Sequence, residues 1–543
     1  MRRIFEILAN STRAPWLLAL GAAVCMAVVA VWFGGLNQDE GWYLYAAQMV
    51  RAGQVPYRDF FFTQGPAMPY VYAALSPLWH PASPLHGLLG GRVATLALGG
   101  LALFCGIGLV RRLVPRGRRS LAALTLFAVL GCNLYHLYFT TIPKTYALGS
   151  LFLLGGFLLV ARGLEAAAAG RGGALRGGLC LAAGGFSLAL ASGTRISLLL
   201  VLPVAGVTLL AGFRRFGWGF LWFGMGGMLG LGLTYGVFAC DPVARGGLLA
   251  AQKYHAARGG FDPFFALGSV SRLARGYAAL GAVLFAAACL GRPAAGGKPE
   301  EKAEEGTACA QNALRWMLGL GFLAVFLLQL SAPFPYDDYQ VPIMGLLAVL
   351  LASLFARRAA HPVRAGWFAV LVACLVSFAS PLLQEWATYG QDRFWSQKRE
   401  MTALAKLRRA GRAVQALDPG GTTLLTQDLY LAVEAGRTVP AGMEMGPFCY
   451  FPDLGTEEAR VRRVMNRERM TRLLESAPCA LAACSGYAFA IGAPVCGEVP
   501  PEEQARFRRM LRQRYDVVDE IPDFGQNATT LQVLRRKKEA DAR

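Results

Sequence analysis

Histidine is nearly absent from this chain, five residues in 543, so proton relays or metal centres built on imidazole have little to draw on. A Walker A loop, an HExxH helix, a CxxC pair and a GxSxG elbow are also missing, which removes P-loop ATP chemistry, zincin hydrolysis, dithiol exchange and the α/β-hydrolase nucleophile as readings. Charge is the third shortage. Only 16% of residues are Asp, Glu, Lys or Arg against 55% hydrophobic, with a mean hydropathy of +0.39, a composition of membrane proteins. Acids are scarcest where apolar residues are densest: residues 1–384 hold 13 of the 34 and the last 159 residues hold 21. The chain therefore divides into a polytopic membrane body, 1–390, and a polar tail, 391–543.

A window of about 19 residues finds apolar runs near 16–36, 87–110, 120–138, 146–162, 176–192, 196–212, 218–238, 273–291, 314–331, 341–356 and 365–385, which predicts a mostly α fold of about eleven spans. Arg2, Arg3 and Arg13 precede the first run, and no small-residue cleavage site follows it, so that run reads as a retained anchor with a cytoplasmic N-terminus. The loops then alternate in charge. Segments on the inner side carry 20 Lys and Arg and those on the outer side 9, which places the tail outside. Most of the net charge of +20 sits in these inner loops, at anionic lipid headgroups, and nucleic acid is not an expected partner. Inner loop 292–312, rich in Gly, Pro and Glu, reads as a linker.

The tail predicts a small soluble α/β domain: helices over 398–417, from Gly455-Thr456 to Glu475 and after Pro501, and strands at 422–427, 480–485, 515–521 and 529–534. Its Cys449, Cys479, Cys484 and Cys496 would allow two disulfides in an oxidising compartment.

The chemistry is expected in the outer loops. Outer loop 37–86 opens with Asp39-Glu40 at the mouth of the first span, where a carboxylate is costly unless it pairs or works. Asp39 before GWYLYAAQMV suits a helix N-cap, and it also suits a general base that takes the proton of an attacking hydroxyl or amine. Tyr57, Arg58 and Asp59 follow, among aromatics (Trp42, Tyr43, Tyr45, Phe60 to Phe62) that read as interfacial anchors, and Met68 to Leu78 reads as lying on the membrane surface. In QKYHAARGG, Lys253 and Arg258 lie about one and a half helical turns apart, beside His255, and could cradle a lipid phosphate. Lys144 and Arg195 each stand alone in a very short outer loop, where the charge rule disfavours cations. The last outer loop holds Asp337 and Asp338 between two tyrosines. Two adjacent acids could hold a divalent cation, but no spaced set of oxygen ligands accompanies them, so no metal or other cofactor is expected.

Asp39-Glu40 with its aromatics, followed by GQVPYRDFFFTQGPAMPYVYA, resembles the bacterial polytopic glycosyltransferases of the GT-C superfamily, close to the protein O-mannosyltransferase and lipid A aminoarabinose transferase group. SGTRISLLLVLP and PYDDYQVPIMGLLAVLLA resemble later segments of such proteins. The resemblance implies an inverting transferase of the bacterial inner membrane. Its donor would be a polyprenyl-phosphate hexose or pentose and its acceptor a glycan, lipid or protein on the outer side, with Asp39 as base and Glu40 beside it. Many relatives carry a further acid in the second outer loop; here that loop is FTTIPKT, with Lys144 and no carboxylate, which leaves Asp59 or Asp337 to substitute. Two rivals make different demands. A lipid-linked sugar transporter predicts internal repeats and polar breaks within spans, and neither is evident; a glycan-binding scaffold would work through the tail alone.

Overall fold

The computed structural model describes residues 11–168, 174–256, 262–289, 305–333, 335–379, 401–491 and 497–538. All eleven apolar runs are mainly helical over their described residues. Seven helices among these are long and apolar enough to cross a membrane, and Pro263–Cys289, bent by 64°, is an eighth if taken as one span. The shortfall from eleven has local causes. Run 120–138 is divided into Arg119–Gly131 and Leu134–Phe139, because the Asn133 side chain accepts from the His136 N–H and starts a new helix. Ile196–Ala211 and Pro362–Phe378 are apolar but shorter than a full span.

Five helices matter below: α1 (Ala14–Phe33), α2 (Gln38–Arg51), α3 (Gly87–Val110), α4 (Thr145–Ala168) and α5 (Val341–Arg358). At one end of the bundle the inner-loop cations close on backbone: Arg118 and Arg357 donate to the carbonyls of Ala359 and Leu113, and Arg112 pairs with Glu165. The expected outer loops gather at the opposite end, together with the tail.

The tail forms a four-stranded mixed sheet, order β1-β2-β4-β3, from β1 (Leu424–Thr426), β2 (Leu481–Cys484), β3 (Tyr515–Phe524) and β4 (Thr529–Arg536). β1 and β2 run parallel with Leu424 opposite Leu481, while β4 is antiparallel to both β2 and β3. All four expected strands are present. The expected helix 456–475 is broken by Arg463 in the left-handed region (φ 55°), giving Thr456–Arg462 and Arg467–Ser476. A helix the periodicity does not signal, α6 (Leu429–Ala435), follows β1. Cys449, Cys479 and Cys484 are buried free thiols, contrary to the disulfide expectation as far as these three are concerned; Cys496 lies outside the described residues.

The aromatics of loop 37–86 are not interfacial anchors. Trp42, Tyr45, Phe60, Phe62, Tyr72 and Trp79 are buried in one core that continues into the tail through Leu404, Leu407, Leu431 and Tyr450. Helix Ala67–Ala74 buries one face, with Met68 and Tyr72 fully covered, and leaves Tyr70 and Ala74 exposed on the other. Covering these side chains removes them from both water and lipid, about 1.5–3 kcal/mol for each large apolar group.

Gly41 makes this contact close. A Cβ there would stand 2.1 Å from the Tyr430 N and 2.8 Å from the Leu429 carbonyl carbon, backbone atoms of α6 that have no rotamer to change. Gly41→Ala is therefore expected to force α2 and α6 apart, costing about 1–3 kcal/mol or more. Thermal unfolding in detergent measures this; a midpoint equal to wild type would contradict the packing.

Candidate active site

Helix α2 begins with a capping box. The Asn37 side chain accepts from the Asp39 N–H (3.0 Å) while the Glu40 carboxylate accepts from the Asn37 N–H (3.0 Å). The N-cap is thus Asn37 where Asp39 was expected. This frees the Asp39 carboxylate, which projects into a cavity of about 610 Å³ at the bundle–tail junction.

Glu40, expected beside Asp39, turns the other way. It is fully buried and meets Arg92 of α3 in a two-point pair, Nε to Oε2 at 2.7 Å and Nη2 to Oε1 at 2.8 Å. Arg92 lies inside the second apolar run, where hydropathy averages it away. Successive residues on a helix point about 100° apart, so the two acids of one dipeptide serve different partners.

In the cavity, Lys144 Nζ lies 2.9 Å from Asp39 and 2.8 Å from Asp338, and the Tyr146 hydroxyl donates to the same Asp338 oxygen at 2.7 Å. Lys144 is only 6% exposed. Burial opposes its charge, but Asp338 and Asp39 outweigh that and hold the ammonium well above the ordinary lysine range. Arg195 stacks on the faces of Tyr339 (4.3 Å) and Tyr146 (5.2 Å) and has no carboxylate within ion-pair distance among the described residues. Its loop is held against loop 64–67 by the Ala67 N–H, which donates to the Gly193 carbonyl (2.8 Å). Gly65 permits this, since a Cβ there would meet the Gly193 oxygen at 2.2 Å.

The tail supplies the facing wall. Tyr487 donates to the Gln38 side chain (2.6 Å), and Gln526 accepts from the Gln38 N–H (3.0 Å). Tyr487, Glu498 and Gln526 line the cavity with Met445 and Phe448. The loops after the parallel strands β1 and β2, with the β3–β4 turn that carries Gln526, present this wall, and the first two are tied together: Asp428 accepts from the Ser485 N–H and Gln427 from the Phe489 N–H. Beside it, Glu444 is buried and accepts from the Gly442 N–H (2.7 Å); burial pushes its carboxyl up to about 7. An acid raised in the folded state costs nothing below its unfolded value near 4.5, and the cost grows to about 3 kcal/mol as pH passes 7. Glu444→Gln should match wild-type thermal stability near pH 4.5 and exceed it at pH 8; equal midpoints at both would refute the assignment.

A second cavity of about 560 Å³ adjoins the first and shares Gln64, Arg195 and Tyr339 with it. Its other walls include Ile196, Leu200 and Leu328, which are 45%, 36% and 43% exposed on the apolar flank of the bundle. A polar chamber thus opens into an apolar groove past Arg195.

Of the expected site residues, Asp39, Lys144, Arg195 and Asp338 meet in this chamber. Asp337 does not line it, accepting instead from the Tyr135 hydroxyl (3.0 Å) and lying 3.9 Å from Arg272. The carboxylate that shares Lys144 with Asp39 is accordingly Asp338, where Asp59 or Asp337 was expected. Asp59 pairs with Arg58 (2.9 Å) in a turn that Tyr57 enters at φ 67°, its hydroxyl donating to the Gln64 carbonyl; none of these three lines the chamber. Lys253 is exposed on helix Pro242–Ala256 and does not line it either, although its neighbour Tyr254 does. The His255 side chain and Arg258 lie outside the described residues, and the cradle expected from Lys253 and Arg258 lies there with them; among the described residues the chamber's cations are Lys144 and Arg195. Among the described residues no three His, Cys, Asp or Glu are grouped to hold a metal.

The fold has counterparts among solved structures. ArnT from Cupriavidus metallidurans bound to undecaprenyl phosphate matches with a TM-score of 0.62 at 13% identity, over 97% of this chain and 99% of that one. The apo form of the same protein gives 0.58 at 15% identity, over 96% and 98%. The chain has the GT-C fold. Archaeal AglB from Archaeoglobus fulgidus, in complex with an inhibitory peptide and a dolichol-phosphate, gives 0.45 at 11% identity, over 86% of this chain and 69% of that one. No protein-family model and no curated protein sequence matches this chain.

Proposed function

We propose that this protein is an inverting glycosyltransferase of the bacterial inner membrane that moves a sugar from a polyprenyl-phosphate donor to an acceptor on the outer side. One observation carries the reading: an accessible carboxylate, Asp39, and two cations, Lys144 and Arg195, from separate membrane segments share one chamber that opens into an apolar groove. A prenyl chain in the groove would bring its phosphate to Arg195 and its sugar into the chamber. The fold shared with ArnT, whose structure holds undecaprenyl phosphate, supports a donor of that class.

In this reading the acceptor's O–H or N–H gives its proton to Asp39 as the heteroatom attacks the anomeric carbon from the face opposite the phosphate. The bond from that carbon to the phosphate oxygen breaks, and the prenyl phosphate leaves with the electron pair. Arg195 and Lys144 stabilise the charge that develops there. Lys144 serves two charges. It pairs with both Asp39 and Asp338; a donor phosphate competes for it and leaves Asp39 a freer base.

The test is incubation of proteoliposomes with radiolabelled undecaprenyl-phosphate hexoses and pentoses and an envelope fraction from a deletion strain. Covalent transfer of label to the envelope fraction is the expected result. Label that crosses the bilayer without transfer would replace this reading with a carrier.

A further inference from the structure

Arg92 is one of the largest fully buried side chains in the protein, and it stands on a helix, α3, that contributes no residue to the chamber. An arginine in a span is costly and calls for a reason. All five of its N–H groups are used. Nε and one Nη2 hydrogen go to the two oxygens of Glu40, and the others reach the carbonyls of Val31 (3.0 Å), Gly34 (3.0 Å) and Gly35 (2.9 Å), where α1 ends. Those carbonyls are orphaned by the helix terminus and would otherwise lack donors in a water-poor interior.

From this the geometry points to Arg92 as the positioning residue for the base, a role that rests on the glycosyl-transfer reading of Asp39. The linkage is continuous. Arg92 fixes Glu40; Glu40 accepts from the Asn37 N–H; Asn37 accepts from the Asp39 N–H. Asp39 is thereby set against Lys144 and Asp338, which belong to other segments and are not moved by Arg92. A lysine would keep the charge, but its three donors cannot serve five acceptors in one plane, so it preserves pairing with Glu40 while releasing the end of α1. The consequence is a small displacement of one carboxylate, and an error of about 1 Å in a reacting group costs about 100-fold in rate.

The experiment compares Arg92→Lys with Asp39→Asn and with a core variant matched for thermal midpoint, such as Leu126→Val. Each is assayed for binding of undecaprenyl phosphate and for transfer of the labelled sugar that the wild type consumes. Arg92→Lys is expected to bind undecaprenyl phosphate within about 3-fold of wild type and to lose about 100-fold in kcat with KM little changed, whereas the matched variant keeps its kcat. Arg92→Lys with the kcat of the matched variant, while Asp39→Asn is inactive, would overturn the positioning role and leave the glycosyl-transfer reading intact. Full activity in Asp39→Asn would overturn that reading itself, and this inference with it. A loss of undecaprenyl phosphate binding in Arg92→Lys equal to its loss of kcat would show general disruption and also overturn the inference.

Discussion

Asp39→Asn is expected to lower the rate of sugar transfer by about 1000-fold, within the 10²–10⁴ range of general-base catalysis. The variant should be an enzyme without a base, not a damaged protein. Asp39 is not the helix cap, since Asn37 holds that position, so α2 loses no capping bond. Lys144 retains Asp338 at 2.8 Å, so its buried charge keeps a partner. Binding of undecaprenyl phosphate and thermal stability should therefore stay near wild type while turnover collapses, and single-turnover measurements with the labelled donor separate these. A variant that transfers sugar at the wild-type rate would remove Asp39 from the mechanism.

Glu40→Ala is expected to do the opposite, damaging the fold before the chemistry. Removing one partner of a fully buried pair leaves the other charge uncompensated, at a cost of about 3–5 kcal/mol. Here it also deletes one arm of the capping box, adding about 1 kcal/mol. The unfolding midpoint in detergent reads this. Glu40→Gln, which keeps an acceptor for the Asn37 N–H, should recover part of the loss, and combining Glu40→Leu with Arg92→Met should cost less than the two single losses added together. A Glu40→Ala protein as stable as wild type would mean the pair does not hold α2. The contrast between adjacent acids is informative in itself: Asp39 is 23% exposed and Glu40 is sealed.

Much of the membrane body was legible because hydropathy is a local property, and the alternation of Arg-rich and Arg-poor loops correctly grouped the loops that meet at each end. Lys144 and Arg195 were found by the same rule, as cations standing where cations are disfavoured. What escaped was whatever depended on a partner far along the chain. Arg92 disappears into the average of an apolar run, and Asp337 and Asp338 are indistinguishable until Lys144, 194 residues from Asp338, selects one. The aromatics after the first span read as an interfacial belt because nothing in their spacing tells that a tail some 350 residues on will cover them. Lys253 was a candidate phosphate ligand alongside Lys144, yet one is solvent-facing and the other sealed between carboxylates.

The sequence by itself determined the helical membrane body, the mixed sheet's strands, and the first loop as the place to look, since period, apolar run length and charge bias are set by neighbours in the chain. The tertiary structure alone decided which charges share a dielectric boundary. It turned Asp39 toward Lys144 and Glu40 toward Arg92, and it made the tail a wall of the chamber. The reason is physical: the energy of a charge depends on what surrounds it within a few ångströms, and those neighbours come from other helices.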